Sequence, residues 1–272
     1  MLAVDSKMKR ERAIGVFDSG LGGLTVVKAL KQHLPSEDVT YFGDTARVPY
    51  GTKSRESIIR FSKENVEVLL KYKVKMIVVA CNSSTSHALT ELQKTFDLPI
   101  IGVISPGVRK ALQVTKNKKI GVIATPATVK SAAYDNQLLA GNPQLKVFSQ
   151  ACSLFVPLVE EGWFNRPVTT IVAKEYLSKI KKFGVDTLIL GCTHYPLLKS
   201  VIAKVMGKEV TLIDSAQEVA REVKATLEHY GNANRSHVTA KYDFFVSDDP
   251  GHFTRLAKRF LGFEIRNARR VG

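Results

Sequence analysis

Short, nearly uninterrupted apolar runs recur along the chain, and each is followed by polar residues and then by a helical pattern. Two of them, residues 74–81 and 185–192, end alike, with a small residue, a cysteine and then hydroxyl or amide side chains. Apolar runs of this length are typical of strands covered on both faces, as in parallel sheets. The pattern predicts an α/β fold in which Cys81 and Cys192 lie at the carboxyl ends of strands, where open α/β sheets bind ligands.

The apolar runs also form two similar sets in the same order. Residues 13–19 resemble residues 119–125, and the two cysteine runs follow at nearly the same spacing. Such self-similarity indicates two related halves. We predict two pseudo-symmetric, three-layer α/β domains with mostly parallel sheets and an active-site cleft between them. Cys81 and Cys192 would then approach that cleft from opposite sides.

The closing elements have no counterpart in the repeat, so we expect the chain to cross back and complete the first domain. The predicted domains are residues 1–104 with 214–272, and residues 105–213. The Ser-Pro-Gly sequence at 105–107 predicts a break in the pattern where the chain crosses into the second half. The predicted strands cover residues 13–18, 39–42, 74–80, 99–103, 119–124, 147–150, 185–191, 210–213 and, last, 242–246. The predicted helices cover residues 24–34, 54–72, 85–96, 128–140, 168–183, 196–205, 218–230 and 251–260.

The composition narrows the class of protein. A chain of 272 residues with 44% hydrophobic residues can bury a substantial core, and it lacks a run of about 18 apolar residues that would span a membrane. The charged N-terminal segment lacks the apolar stretch of a secretory signal. Three cysteines give no disulfide framework, which favours a reducing compartment. We expect a cytoplasmic protein with no membrane partner.

The formal charge of +15 attracts anions, and nucleic acid is the usual partner of so basic a protein. The basic residues are dispersed, however, and are not interleaved with aromatic residues that would stack on bases. We therefore do not expect nucleic acid as a partner. A basic protein that binds nucleic acid or another partner is the alternative from a different functional class.

A glycine-rich turn, residues 20–23, follows Asp18 at the end of the first strand. Its spacing is not that of a dinucleotide-binding G-x-G-x-x-G motif, and the carboxylate of Asp18 would repel a phosphate. The helix N-terminus beyond it suits a carboxylate ligand. A tight turn capped by Asp18 is the plainer interpretation. The polar segment 43–51 predicts a binding loop. A simple turn at Pro49, Tyr50 and Gly51 is the alternative interpretation.

The paired cysteines favour acid–base chemistry over the other roles of a reduced thiol. Cys192 and His194 with a remote Cys81 fit a zinc site poorly, and the chain has no Cys-x-x-Cys redox motif. A nucleophilic Cys192 with His194 as its base remains open, but it leaves Cys81 unexplained.

Acid–base chemistry explains why Cys81 and Cys192 occupy equivalent positions in the two halves. With thiols on opposite sides of a stereocentre, one removes a proton while the other returns one. Each cysteine precedes a helix, whose N-terminus should lower the thiol pKa. Asp18 and His194 are plausible proton-transfer partners. The alternative is that both cysteines are merely buried, as we expect for Cys152.

At these residues the sequence resembles the glutamate racemases of the cofactor-independent aspartate/glutamate racemase superfamily. The motifs that carry the resemblance are GVFDSGLGG at 15–23, YFGDT at 41–45, PYG at 49–51, ACN at 80–82, GCTHYPLL at 191–198 and IDS at 213–215. The resemblance implies interconversion of L- and D-glutamate without metal or pyridoxal phosphate, and supply of D-glutamate for peptidoglycan synthesis. An aspartate racemase is the alternative within this class. We expect a homodimer.

The resemblance also implies a role for each site residue. Cys81 would act on the proton of the D-isomer with Asp18 assisting, and Cys192 on that of the L-isomer with His194 assisting. Glu160, rather than its neighbour Glu161, matches a further acidic residue near the cleft. Substrate contacts are implied for Asp18, Ser19, Tyr50, Gly51, Asn82, Ser83, Thr193 and His194. The chain departs from the family pattern at Ser83 and Ser84, and in its basic N-terminal extension and tail.

Overall fold

The computed structural model describes residues 10–234 and 239–271, which form two parallel β-sheets flanked by helices. The strands are β1 (Ile14–Asp18), β2 (Val39–Gly43), β3 (Met76–Val79), β4 (Ile100–Gly102), β5 (Lys119–Ala124), β6 (Lys146–Ala151), β7 (Thr187–Gly191), β8 (Thr211–Asp214), β9 (Tyr242–Val246) and β10 (Arg269–Arg270). The helices are α1 (Leu24–His33), α2 (Arg55–Leu70), α3 (Asn82–Thr95), α4 (Ile104–Val114), α5 (Pro126–Lys130), α6 (Ala133–Gly141), α7 (Phe155–Glu160), α8 (Pro167–Phe183), α9 (Lys199–Met206), α10 (Ser215–His229) and α11 (Pro250–Leu261). Short 3₁₀ turns cover Tyr50–Thr52 and Tyr195–Leu198.

The topology repeats in the way the sequence predicts. The six-stranded sheet has the order β10-β9-β2-β1-β3-β4, and the four-stranded sheet has the order β6-β5-β7-β8. The segment β2-β1-β3-β4 of the first sheet therefore matches the whole second sheet, and every strand pair is parallel. Two parallel-sheet α/β domains are confirmed. Their exact boundaries, at residues 104–105 and 213–214, stay predictions.

Each sheet is covered on both faces because adjacent strand residues point to opposite sides. In β1, Val16 belongs to the core cluster that contains Leu24 and Val27 of α1, whereas Phe17 belongs to the cluster that contains Leu69 and Leu92 on the other face. Buried apolar strands of this kind explain why the runs in the sequence are continuous rather than alternating.

All nine predicted strands form, with ends within two residues of the prediction. The expectation that β9 is the last strand is wrong, because the short edge strand β10 pairs Arg269 and Arg270 with Phe245 and Val246. Its side chains are exposed arginines, which carry no apolar signal. Among the described residues no helix is long and apolar enough to cross a membrane.

The predicted break at residues 105–107 is also wrong, because α4 runs through it. Pro106 lies in the first turn, where its missing N–H would have no helical acceptor in any case. Gly107 is required by close packing, since a Cβ there would lie 2.9 Å from the Ser215 hydroxyl oxygen. The chain does cross between the two sheets here, but it does so as a helix.

Two predicted helices are divided. The helix predicted over 128–140 separates into α5 and α6 at Ala132, whose φ of 53° lies in the left-handed region. The helix predicted over 196–205 begins as a 3₁₀ turn around Pro196 and becomes α9 only at Lys199. Two other helices begin earlier than predicted: α3 directly after Cys81, and α10 directly after Asp214, the last residue of β8.

Candidate active site

A small cavity lies where the carboxyl ends of the two sheets meet. Its volume is about 20 Å³, which is room for roughly one water molecule. Both predicted thiols line it and are nearly fully buried. Its lining consists of Ser19, Val48, Pro49, Tyr50, Gly51, Cys81, Asn82 and Ser83 from the first half, and Thr125, Val156, Cys192, Thr193 and His194 from the second.

Cys81 and Asp18 meet because β1 and β3 are neighbours in the first sheet. Cys81 caps the N-terminus of α3, and Asp18 ends β1 with its side chain fully buried. One carboxyl oxygen of Asp18 accepts the Gly20 N–H at 3.0 Å. The other has no hydrogen-bond partner among the described residues. Asp18 thus lies behind the cavity lining, close to the first thiol.

Burial controls the titration of this pair. It raises the pKa of Asp18, although the positive charge of His194 opposes the rise. It also raises the pKa of Cys81 to about 12, and the neighbouring charge of Asp18 adds to the effect. The expectation that a helix N-terminus lowers the pKa of this thiol is therefore wrong for Cys81, because desolvation outweighs the helix.

The second thiol has an imidazole and a carboxylate in series. The Sγ atom of Cys192 lies 3.8 Å from Nδ1 of His194, and Nε2 of His194 lies 3.2 Å from Oε1 of Glu160. Burial alone would lower the pKa of His194, but the hydrogen bonds and charges of Cys192 and Glu160 raise it to about 10. Glu160 is the last residue of α7 and reaches the imidazole, whereas Glu161 is exposed.

The glycine-rich turn after β1 packs directly against the second cysteine segment. A Cβ on Gly22 would lie 2.1 Å from the Thr193 hydroxyl oxygen and 2.6 Å from the His194 ring. The Thr25 hydroxyl also donates to the Thr193 carbonyl at 3.2 Å. The turn therefore contacts the opposite half of the molecule, and only a residue without a side chain fits at position 22.

The predicted binding loop reaches the cavity through Tyr50 and Gly51. The Tyr50 hydroxyl donates to the buried carboxylate of Asp44 and accepts from Asn65 Nδ2 at 3.1 Å. Arg47 pairs with Asp44 at 2.6 Å. This network holds Tyr50 in place. Gly51 is needed because a Cβ there would lie 2.7 Å from that of Thr125, across the cleft.

Two threonines of the second half were missed in the sequence. The Thr125 hydroxyl lies 3.0 Å from that of Ser83, across the cleft, and donates to the Thr128 hydroxyl at 3.1 Å. A signal was available, since the internal repeat aligns Thr125 with Ser19. Cys152, expected to be structural, is fully buried and does not contribute to the cavity lining.

Each half thus supplies one thiol with a titratable partner to a shared, nearly closed cavity. Such a site is able to transfer protons on opposite faces of one bound carbon acid. The structure is therefore that of a two-domain α/β protein with two thiols lining one cavity between its halves.

The sequence matches the model of the Asp/Glu/Hydantoin racemase family over residues 16–223. It is 48% identical over 260 residues to a glutamate racemase of Geobacter metallireducens, covering 96% of each chain. A glutamate racemase from Bacillus anthracis superposes with a TM-score of 0.93 at 41% identity, covering 97% of this chain and 98% of that one. One from Francisella tularensis, solved in complex with D-glutamate, gives a TM-score of 0.90 at 41% identity over the same shares. The chain belongs to the Asp/Glu/Hydantoin racemase family, and it is accordingly an isomerase.

Proposed function

We propose that this protein is a glutamate racemase that interconverts L- and D-glutamate by two-base proton transfer at the α-carbon. The observation that carries the proposal is the placement of Cys81 and Cys192 on the two halves of one cavity. The relatives at 41–48% identity that bear the name glutamate racemase support the choice of substrate.

In the L-to-D direction, the Cys192 thiolate takes the α-hydrogen as a proton, and the electron pair stays on the α-carbon. The Cys81 thiol then gives its proton to the opposite face of that carbon. Cys81 suits the role of acid because its pKa of about 12 keeps it protonated at neutral pH. The reverse direction exchanges the two roles.

Each turnover leaves the two thiols in exchanged protonation states, so each needs a partner that resets it. After an L-to-D turnover Cys81 is a thiolate, and Asp18 would return a proton to it, because burial raises the pKa of Asp18 and favours its protonated form. After a D-to-L turnover Asp18 would instead accept the Cys81 proton. His194, held by Glu160, is placed to exchange a proton with Cys192. We assign Cys81 and Cys192 as catalytic residues with Asp18, His194 and Glu160 as their proton-transfer partners.

The polar groups around the thiols would bind the substrate's ammonium group and carboxylates. From the first half they are Ser19, Tyr50, Gly51, Asn82 and Ser83, and from the second Thr193 and His194. We add Thr125, whose hydroxyl faces Ser83 across the cleft. The biological role we propose is supply of D-glutamate for peptidoglycan, and thereby for cell-wall biogenesis and cell shape, in the cytoplasm.

The test is α-proton exchange of the purified protein with L- and D-glutamate in D₂O, with optical rotation followed in parallel and no cofactor added. We expect deuterium to enter at the α-carbon from either isomer while rotation is lost. Exchange with aspartate but not glutamate would keep the mechanism and replace the substrate. Exchange with neither would contradict the proposal and return attention to the basic surface.

A further inference from the structure

Tyr134, in the first turn of α6, contacts the segments that carry both thiols. Its hydroxyl donates to Oδ1 of Asn82 at 2.7 Å, and Asn82 directly follows Cys81. Its ring lies against Gly191, where a Cβ would approach the ring atom Cε2 to 3.0 Å, and Gly191 directly precedes Cys192. The side chain is almost completely buried. One tyrosine of the second half therefore bridges the two cysteine segments.

The Asn82 amide is oriented with Oδ1 toward the Tyr134 hydroxyl. An asparagine amide has one acceptor oxygen and an NH₂ group with two donors. Because Oδ1 accepts from Tyr134, the NH₂ group is left for a ligand in the cavity that Asn82 lines. An NH₂ group attracts a carboxylate, whereas an amide turned by 180° would present its oxygen and repel the same ligand.

The Tyr134 hydroxyl is itself held in place. Burial raises the pKa of Tyr134, so the phenol keeps its proton and remains a donor across the physiological range. The Ser215 hydroxyl, at the start of α10, lies 3.4 Å from the phenol oxygen. The tyrosine thus orients Asn82 without itself lining the cavity.

We propose that Tyr134 is a positioning residue that holds the Asn82 amide with its N–H groups toward a carboxylate of the substrate. The inference rests on the proposed function, since it takes glutamate as the ligand. Tyr134 does not line the cavity and takes no part in the proton transfer. Its replacement should therefore change substrate binding.

The experiment is a double-mutant cycle with Tyr134→Phe and Asn82→Ala, measured as KM and kcat for both isomers of glutamate. Tyr134→Phe keeps the ring against Gly191 and removes only the hydroxyl. We expect it to raise KM about three- to tenfold, the usual worth of one hydrogen bond, with a smaller change in kcat. In the Asn82→Ala background the same change should have no further effect on KM, because the group that it orients is gone.

Tyr176→Phe is the matched control. The Tyr176 hydroxyl accepts the Leu154 N–H at 3.2 Å, in the second half and outside the cavity lining. We expect Tyr176→Phe to lose about as much stability as Tyr134→Phe, with KM unchanged. An unchanged KM in Tyr134→Phe, or an equal rise in both backgrounds, overturns the proposal.

Asn82→Asp tests whether the NH₂ group of Asn82 faces a substrate carboxylate, and it does so even where Tyr134→Phe fails to fold. The aspartate keeps an acceptor for Tyr134 and replaces the NH₂ donors with a charged oxygen. We expect its KM to exceed that of Asn82→Ala, and an equal or lower KM overturns the proposal. Wild-type protein without glutamate turnover would instead refute the proposed function, so the two failures are distinguishable.

Discussion

Tertiary neighbours set the pKa values of single residues at the site: burial raises that of Cys81, and the side chains of Cys192 and Glu160 raise that of His194. The sequence locates Cys81 before a helix and predicts a lowered pKa, yet burial beside Asp18 raises the pKa to about 12. Desolvation depends on what the rest of the chain packs around the thiol, and one sequence does not show that. The pairing of His194 with Glu160 is likewise tertiary, since the two residues lie 34 positions apart.

Replacing either proposed catalytic thiol should separate racemisation from proton exchange. We expect Cys81→Ser and Cys192→Ser each to lower racemisation at least about a hundredfold, since a positioned acid or base contributes that much. The surviving thiol should still exchange the α-proton of one isomer, D-glutamate for Cys81 and L-glutamate for Cys192, as followed by NMR in D₂O.

Cys152→Ser is the control for these variants, because its Sγ atom already lies 3.7 Å from the Gln150 carbonyl oxygen, an acceptor for the new hydroxyl. It should keep near-wild-type turnover. Near-normal turnover in both directions by either active-site variant would contradict the two-base mechanism.

The pKa of His194 predicts how stability depends on pH. The folded-state pKa of about 10 exceeds the ordinary value of 6.5, so folding favours the protonated imidazole. The resulting stability is fully present below about pH 6.5 and is lost as pH rises through about 10. The difference in Tm between wild type and His194→Asn should therefore shrink steadily when measured from pH 6.5 to 10.5.

Glu160→Gln tests the cause of this shift. Its amide removes the negative charge that raises the pKa of His194 but can still hydrogen-bond the ring. The loss of stability should then still begin near pH 6.5, which the unfolded chain sets, but end at lower pH than in wild type, with a smaller total loss. An identical pH profile for wild type and Glu160→Gln would show that Glu160 does not hold the imidazolium.

At the scale of elements, the strands were predictable because a strand buried on both faces leaves a continuous apolar run. The ends of the helices were less predictable than the strands. Pro106 sits in the first turn of α4 as easily as in a loop, and Ala132 divides two helices without a glycine or proline to mark the place. The course of α4 also depends on a neighbouring element, since the hydroxyl of Ser215 packs against Gly107.

The glycine-rich turn between β1 and α1 is the element that couples one half to the other. Gly22→Ala should lower kcat/KM at least about tenfold, because the new Cβ would displace Thr193 and His194 beside the second thiol. Gly251→Ala, at the start of α11, is the matched control, since its nearest contacts lie at 3.6 Å. Steady-state kinetics of both variants provide the measurement. Equal activities would show that the turn accommodates the new Cβ without displacing Thr193 and His194.

At the scale of the molecule, duplication produces two incomplete half-sites. β1 and β3 bring Asp18 and Cys81 together, and the equivalent pair β5 and β7 brings Thr125 and Cys192 together. Neither half contains both thiols. The cavity between them has room for roughly one water molecule. The sequence predicted the duplication from its repeat, but not how tightly the halves close.

The expected homodimer and the expected lack of a nucleic-acid partner both concern surfaces, and they stay predictions. The charge of +15 bears on the substrate as well, because glutamate carries a net negative charge at neutral pH. A positive field raises the local concentration of an anion and weakens once salt screens it. The Debye length falls from about 30 Å at 0.01 M salt to about 8 Å at 0.15 M.

We therefore expect kcat/KM for both isomers of glutamate to fall severalfold between 0.01 and 0.15 M sodium chloride, mainly through KM. The chemical step lies in a closed cavity that salt does not screen, so kcat should change little. Sucrose at matched osmolality is the control for effects other than screening. A flat salt dependence would mean that the dispersed lysines and arginines create no useful field at the cleft. The basic surface would then need an explanation separate from catalysis.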